Sequence, residues 1–241
     1  MTQPASAVRL RDVTFRWKRG PRALDIAMLD IAAGERVFVH GPSGCGKSTL
    51  LALVAGVLSP TTGDMQVLGQ SLSGMTSGGR DRFRAEHLGV IFQTFNLLPF
   101  LSITDNVRLG YDFSHQRRAR VTAAQGGAEG AIARLLAQLG LAPDMRGRAV
   151  SALSIGQQQR VAVARALIGG PDLVIADEPT SALDAGARDR FLDLLLGECD
   201  AAGSTLLFVS HDLGLAEHFD RSIDLAQLNH ASVRDEDMAC M

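Results

Sequence analysis

The sequence predicts an α/β fold in which the strands of a mostly parallel sheet alternate with helices. Short apolar runs typical of buried strands recur along the chain, at 35–40, 88–92, 173–176 and 205–209. A glycine-rich segment, GPSGCGKS, follows the first of these runs and precedes a stretch with helical spacing. From about Thr94 to Leu167 β-branched runs become rare, which predicts a mainly helical lobe between two parts of the sheet.

The N-terminal part of the chain is predicted to run through strand, loop and helix. Val8–Phe15 alternates loosely between apolar and polar residues and is predicted as a strand, as is the β-branched run Glu35–His40. Leucines and valines share one helical face after the glycine-rich segment, which predicts a helix over 47–58. The turn SPTTG is expected to end that helix.

Fewer elements can be assigned in the remainder of the chain. A strand is predicted over Asp64–Leu68, and Ser71–Arg84 is interpreted as a loop with a short helix. Apolar residues between Ile132 and Leu139 have helical spacing, and Gly140 follows them as a helix stop. The polar segment from Asn229 to the C terminus is interpreted as a loosely held tail.

Composition places the chain among ordinary globular proteins. Hydrophobic residues are 46% of the 241 residues and the formal net charge is −2, which does not favour nucleic acid as a partner. The basic cluster Arg117–Arg120 is interpreted as a solvated face. No apolar run reaches the roughly 18 residues of a membrane span, and no secretory signal is expected. Cys45, Cys199 and Cys240 share no spacing, which favours a reducing cytoplasm over a disulfide framework or a zinc site.

The glycine-rich segment matches the phosphate-binding pattern G-x-x-x-x-G-K-[ST]. Glycine permits backbone angles that turn successive N–H groups toward phosphate, and the following helix points its positive end at the same anion. Lys47 is expected to reach the β- and γ-phosphates, Ser48 to ligate Mg²⁺ and Thr49 to donate to the α-phosphate side. The predicted nucleotide-binding residues here are Gly41, Pro42, Ser43, Gly44, Cys45, Gly46, Lys47, Ser48 and Thr49. At this point kinases, GTPases, helicases and transport motors all remain open.

Two carboxylates end the apolar run at 173–176. Side chains alternate along a strand, so neighbouring Asp177 and Glu178 are expected to point differently and to serve different purposes. Asp177 is predicted to hold the Mg²⁺ shell, and Glu178 to polarise the water that attacks the γ-phosphate.

The segment LSIGQQQR at 153–160, followed by a helix, resembles the signature of the ATP-binding subunits of ABC transporters. The resemblance runs from about Val8 to Leu228, and further elements match in order. Gln93 resembles the Q-loop glutamine, Ser181–Asp184 resembles the D-loop, and His211 resembles the switch histidine. Trp17, the only tryptophan, stands where the family places an aromatic that stacks on adenine.

The resemblance implies how the remaining residues act. Ser154, Gly156 and Gln157 would bind the nucleotide held by an opposite subunit, so two chains would pair head to tail around two shared ATP sites. Gln93 would contact Mg²⁺ or the attacking water, His211 would hydrogen-bond the γ-phosphate, and Asp184 would belong to the D-loop. Ile155 departs from the family's glycine at the third signature position, where its branched side chain restricts the backbone, and a functioning site is expected because Ser154 and Gly156 are retained.

The expected organisation is a single ABC ATPase domain over 1–241. A P-loop core with an N-terminal antiparallel β layer is expected over 1–94 and 166–241, and a helical signature subdomain over about 95–165. The cofactors implied are ATP and Mg²⁺.

The resemblance also implies a homodimer or paired ATPase subunit, and an integral membrane permease that docks near Gln93–Phe100, where Phe95 and Phe100 are candidate contacts.

The segment FQTFNLLPFLSITDNV is most similar to the corresponding segment of the lipoprotein-release and macrolide-export subgroup. An amino-acid-type importer ATPase is the alternative, followed by a non-transport ABC ATPase or a non-hydrolysing regulatory clamp. The expected location is cytoplasmic, peripheral on the inner face of the membrane through the permease.

Overall fold

The structure is a computed structural model that describes residues 5–18, 20–181 and 183–231. The described chain forms two compact units. The first contains the residues up to 81 together with those from 205 onward, and the second contains 82–204.

Strands predominate at the start of the chain, and helices predominate in its middle part. The first unit begins with β1 (Ser6–Arg16), β2 (Arg22–Ala32), β3 (Arg36–His40), α1 (Lys47–Val54), β4 (Thr62–Val67) and β5 (Gln70–Ser71), and helix α2 (Ser77–His87) leads into the second unit. The second unit contains β6 (Leu88–Ile91), α3 (Ile103–Asp112), α4 (His115–Ala123), α5 (Gly127–Gln138), α6 (Ile155–Leu167), β7 (Leu173–Asp177) and α7 (Ala185–Ala202). The chain returns to the first unit with β8 (Thr205–Val209), β9 (Arg221–Asp224) and α8 (Leu225–Leu228).

An antiparallel sheet in the order β2-β1-β4-β5 forms one layer of the first unit. Leu10 of β1 stands opposite Leu29 of β2 and Met65 of β4, and all three side chains are buried. Burial of one apolar face against its own unit is what stabilises such a layer. Strand β2 was not assigned from the sequence, because its polar residues interrupt the alternation that marks β1.

Parallel strands in the order β8-β3-β9 form the second layer of the first unit. Phe38 of β3 is fully buried and stacks on Phe208 of β8 with ring centroids 6.2 Å apart. Because the strands run in the same direction, the loops that follow β3 and β8 leave the sheet at the same edge. The N–H of Ser210 donates to the carbonyl of Val39 at 3.2 Å and fixes that proximity.

Helix α1 is shorter than the predicted helix over 47–58. It ends at Val54, and Gly56 adopts a φ of 66°, so its N–H turns back to the carbonyl of Leu53 at 2.8 Å. A left-handed glycine after the last turn is a common helix stop, and it overrides the apolar periodicity that continues to Leu58.

The second unit joins parallel strands β6 and β7 to a group of helices, in which α3 packs closely on α6. Gly110 allows this approach, because a Cβ at that position would lie 2.1 Å from the carbonyl oxygen of Arg165. Helix α3 therefore contacts the backbone of α6 directly.

The interpretation of Arg117–Arg120 as a solvated face is wrong for its first residue. Arg117 is buried, and its guanidinium donates to the carbonyls of Leu88, Ala166 and Ile168. Burial lowers the pKa of Arg117 to about 10. Three carbonyl acceptors replace the water that this charge would otherwise need, whereas Arg118 and Arg120 are exposed.

Candidate nucleotide-binding site

The glycine-rich segment forms the loop between β3 and α1, as the sequence predicts. Gly41, Gly44 and Gly46 have φ angles of 148°, 84° and 103°, which favour glycine. A Cβ on Gly46 would lie 2.7 Å from Cδ2 of Leu24 and 3.0 Å from the carbonyl oxygen of Ala23. Both conformation and space therefore require glycine at this position.

Helix α1 begins without the groups that usually satisfy a helix N-terminus. Gly46 supplies no side-chain cap, and the first turn contains no acidic residue. The first N–H groups of a helix have no partner within the helix and carry the positive end of its dipole. This end of α1 can therefore accept an anion such as phosphate.

Lys47 brings a positive charge to the same loop. Its Nζ donates to the carbonyls of Gly41 at 2.7 Å and Pro42 at 3.1 Å. Ser48 and Thr49 follow on the first turn of α1, where Ser48 is exposed. An ammonium and an exposed hydroxyl are groups that can bind phosphate and its metal ion.

Trp17 lies beside the loop in a cavity of about 630 Å³. The indole is 52% exposed and packs edge-on against Phe15, with ring centroids 5.0 Å apart. Residues Pro42, Ser43, Gly44 and Cys45 line the same cavity. A cavity of this size with one exposed aromatic and a phosphate-binding loop can hold a nucleotide base at one end and phosphates at the other.

The segment from Ala226 to Ala231 also lines this cavity, and sequence analysis gave it no role. The interpretation of a loosely held tail starting at Asn229 is wrong for its first residues, since Asn229 and Ala231 are buried. No local pattern marks Asn229 in the sequence, because its partners lie in β2 and in the glycine-rich loop, about 200 residues earlier in the case of Asp25.

His211 follows β8 at the edge where the glycine-rich loop leaves β3. It is exposed, and the residues on either side of it are fixed by hydrogen bonds. Ser210 Oγ accepts from the N–H of Asp212 at 3.1 Å, and Asp212 Oδ1 accepts from the N–H of Gly214 at 3.1 Å. Trp17, the loop and His211 thus all belong to the first unit.

Asp177, Glu178 and Gln93 belong to the second unit and share one edge of it. β6 and β7 are parallel with Ile91 opposite Ala176, so the residues that follow them leave the strands on the same side. Glu178 has a φ of 48°, a conformation that costs an ordinary residue free energy and that clusters at functional sites.

The predicted signature residues form the N-terminus of α6. Ser154 Oγ accepts from the N–H of Gln157 at 3.3 Å, and Gln157 Oε1 accepts from the N–H of Ser154 at 3.0 Å, which is a capping box. A Cβ on Gly156 would meet no atom within 4 Å, and Ile155 is 58% exposed. The side chain of Ile155 therefore extends from the surface and does not disturb the packing of this unit.

Two further side chains tie α6 to the loops that contain predicted site residues. Gln159, which is buried, donates to the carbonyl of Pro179 directly after Glu178. Arg165 donates to the carbonyls of Phe95 and Asn96, each at 2.6 Å, and burial lowers its pKa. Sequence analysis did not assign these contacts, which join residues up to 70 positions apart.

Asp184, which the sequence places in a predicted D-loop, is an N-cap in the structure. Asp184 Oδ1 accepts from the N–H of Ala187 at 2.8 Å and begins α7. The neighbouring Ala182 of the predicted D-loop lies outside the described residues.

The segment after Gln93 presents an apolar surface. Phe100 is 74% exposed, Phe92 and Leu98 are also exposed, and Phe95 is buried. A cavity of about 300 Å³ adjoins this segment and is lined by Phe92, Phe113, Leu109 and Arg165 among others. Of the two phenylalanines expected as partner contacts, only Phe100 is available at the surface. Among the described residues no helix is long and apolar enough to cross a membrane.

Comparison with known proteins relates the chain to ATP-binding cassettes. The family model described as ABC transporter matches residues 24–181. The chain is 42% identical to the lipoprotein-releasing system ATP-binding protein LolD 2 of Rhodospirillum rubrum, over 93% of this chain and 95% of that protein. It is 39% identical to the macrolide export ATP-binding/permease protein MacB of Burkholderia thailandensis, over 91% of this chain but 33% of that protein.

Among solved structures, the dimeric post-hydrolysis state of the ATP-binding cassette MJ0796 bound to ADP and Pi matches with a TM-score of 0.79. It is 31% identical, and the match covers 91% of this chain and 95% of that one. The α/β fold class predicted from the sequence, with its P-loop core, is confirmed.

Proposed function

The chain belongs to the ABC transporter family as an ATPase subunit, and we propose that its ATP cycle drives a separate membrane permease of the lipoprotein-release or macrolide-export type. The observation that carries the nucleotide assignment is the cavity where Trp17 and the glycine-rich loop meet. The similarity to LolD 2 and MacB supports the type of permease.

The residues of this cavity and of the glycine-rich loop and helix α1 beside it fit ATP. The exposed face of Trp17 offers a stacking surface for adenine, and the N-terminus of α1 with Lys47 offers N–H groups and a cation to the phosphates. Gly46 lets the backbone approach the phosphates closely. Mg²⁺ commonly binds through one or two carboxylates and substrate phosphates, so Ser48, Gln93 and Asp177 would hold the ion, which would supply positive charge to the phosphates.

Hydrolysis requires one water positioned for attack on the γ-phosphorus. We assign Glu178 to accept a hydrogen bond from that water, and His211 to donate to the γ-phosphate. Gln93 would orient the water or the metal ion. The products are ADP and inorganic phosphate, and the bond broken joins the γ-phosphorus to the β–γ bridging oxygen.

The signature is proposed to act on the nucleotide of a second copy. Ser154, Gly156 and Gln157 lie at the N-terminus of α6, an end suited to an anion. Two chains would therefore pair head to tail, with Asp184 in the D-loop at their contact. The dimeric state of the MJ0796 structure supports this arrangement. The helical subdomain is proposed over 95–165, a range in which α3, α4, α5 and most of α6 lie.

The permease is proposed to dock on the apolar surface formed by Phe92, Leu98 and Phe100 with the adjoining cavity. Exposed apolar residues grouped beside a cavity favour contact with another protein. The chain would then sit at the inner face of the membrane through its permease. A co-purified permease with four spans and a large periplasmic domain would support this assignment, whereas an importer-like layout would contradict it.

The ATPase assignment is tested by two substitutions in the purified chain. Lys47→Ala is expected to lower turnover at least about 100-fold, because it removes a cation from the developing phosphate charge. Glu178→Gln is expected to stop turnover while ATP still binds. Glu217→Gln is the matched control, since Glu217 is 81% exposed and lies outside the site. Normal turnover in Lys47→Ala would contradict the loop assignment, and normal turnover in Glu178→Gln would favour a different base.

A further inference from the structure

Asn229 uses its entire side-chain amide to join three segments of the first unit. Oδ1 accepts from the N–H of Asp25 at 2.8 Å and of Ala231 at 3.1 Å. Nδ2 donates to the carbonyls of Ala23 and Cys45, each at 3.0 Å. A primary amide has two donors and room for two acceptor contacts, so all of its hydrogen bonds are made. The residue is 9% exposed, so these bonds are largely shielded from water.

The bond to Cys45 determines the orientation of one peptide group in the glycine-rich loop. The described chain contains no cis peptide bond, and in a trans peptide the C=O and the following N–H point in opposite directions. With the carbonyl of Cys45 held on Asn229, the N–H of Gly46 must point away from Asn229. The same side of Gly46 packs against Leu24 and Ala23 of β2, so the opposite side of the loop is the one left for a ligand.

This peptide needs an external constraint. Glycine rotates more freely about φ and ψ than any other residue, so the Cys45–Gly46 peptide could reverse at little cost. A reversed peptide would direct a carbonyl oxygen, rather than an N–H, toward the phosphate, and the two negative groups would repel each other. A hydrogen bond from a fixed donor to the Cys45 carbonyl prevents that reversal.

Asn229 is itself placed by a small, well-bonded element. Asp224 Oδ1 accepts from the N–H of Ala226 at 2.9 Å and begins α8, whose Leu225 is fully buried. The N–H of Asn229 donates to the carbonyl of Leu225 at 2.9 Å, and β9 pairs with β3 directly before this turn. The amide therefore lies behind the loop at a fixed distance from β3.

We propose that Asn229 is a positioning residue for nucleotide binding, whose side-chain amide holds the Cys45–Gly46 peptide with the Gly46 N–H facing the phosphates. The inference rests on the proposed nucleotide function. It assigns to the segment after β9 a part in shaping the phosphate site.

The test compares ADP binding, measured by calorimetry with MgADP, in three variants of the full chain. Asn229→Asp keeps the acceptors for Asp25 and Ala231 but replaces the donor to Cys45 with an oxygen. Asn229→Ser is uncharged and too short to reach both sides. Both are expected to raise the Kd for ADP about tenfold or more, since a hydrogen bond to a charged group is lost or misdirected.

Met65→Ala is the control for a purely structural role. It truncates a fully buried side chain of β4 in the same unit and touches neither the glycine-rich loop nor the segment that holds the Asn229 amide. The Kd of this variant is expected to stay within about twofold of wild type even where its melting temperature falls as far as that of the Asn229 variants, because affinity and stability are separate quantities. If Asn229→Asp does not fold, the Kd of Asn229→Ser for ADP still tests the proposal.

The outcomes test the nucleotide function and the positioning role of Asn229 separately. If the wild-type chain binds no ADP, the nucleotide function itself fails. If wild type binds ADP and both Asn229 variants bind it with the same Kd as wild type, only the positioning role fails. Equal loss of affinity in Met65→Ala at matched stability would also overturn it, and loss in Asn229→Asp alone would show charge repulsion instead.

Discussion

Single polar side chains hold the connection between β6 and α3 in place. Phe95 and Asn96 have φ angles of 61° and 49°, and Arg165 of α6 donates to the carbonyls of both. A left-handed conformation in a residue such as Phe95 persists only when its surroundings hold it, and here the Arg165 guanidinium does so. Asn106 of α3, fully buried, accepts from the N–H of Leu98 and donates to three carbonyls between Leu98 and Ser102, which fixes the rest of the connection.

Trp17 provides a residue-scale prediction, because it is the only tryptophan and is half exposed in the cavity. Stacking of adenine on the indole changes its surroundings from water to an aromatic ring. Addition of ATP or ADP is therefore expected to change the tryptophan emission with a saturable dependence on concentration. Trp17→Phe should lose the signal and keep most of the affinity measured by calorimetry. If calorimetry shows that wild type is saturated with ADP and its tryptophan emission is unchanged, the stacking assignment is contradicted.

At the scale of elements, contacts between helices depend on where glycine stands. Gly110 lies at the contact of α3 with α6, where a Cβ would meet the Arg165 carbonyl at 2.1 Å and Cγ2 of Ile168 at 2.6 Å. Gly197 lies in the middle of α7, where a Cβ would meet nothing within 4 Å. Glycine is thus required for close packing in α3, whereas in α7 no neighbouring atom requires it.

This contrast gives a paired prediction for stability. Gly110→Ala is expected to lower the free energy of unfolding by roughly 1–3 kcal/mol, because the helices must separate to admit the methyl group. Gly197→Ala is expected to raise it by up to about 1 kcal/mol, since alanine favours a helix interior over glycine. Urea unfolding followed by circular dichroism measures both. A destabilising Gly197→Ala would contradict the open surface of α7, and a neutral Gly110→Ala would contradict the close α3–α6 contact.

At the scale of the whole molecule, half of the proposed ATP site is supplied by another chain. In the proposed arrangement the N-terminus of α6 binds a partner's nucleotide, and binding of ATP to both faces should therefore favour association. Hydrolysis would remove the γ-phosphate from that contact, so a variant that binds ATP without hydrolysing it should accumulate the pair.

Glu178→Gln with MgATP is expected to double the molar mass measured by light scattering, whereas MgADP should leave a monomer. Lys47→Ala is the control that should remain monomeric with either nucleotide, because it removes the phosphate contact. A monomer in Glu178→Gln at saturating ATP would count against the head-to-tail arrangement.

Much of the fold could be predicted from local sequence. Strands β1, β3, β7 and β8 lie close to their predicted ranges, because buried apolar runs between polar ends favour strands wherever they occur. Strand β2 and the four-residue β9 could not be assigned, since only their pairing with β1 and β3 defines them. The end of α1 at Val54 likewise follows from the backbone of Gly56 and not from apolar spacing.

The sequence by itself determined the glycine-rich loop, the acidic strand end and the signature, because each is a short pattern whose chemistry depends on residues next to one another. Only the tertiary structure decided that Arg117 is buried, that Phe95 is not at the surface, and that Asn229 lies behind the phosphate loop. The physical reason is range: a hydrogen bond such as that from Asn229 to Cys45 joins residues 184 positions apart. No local pattern of residues encodes such a contact, which depends on a segment that directly follows the pairing of β9 with β3.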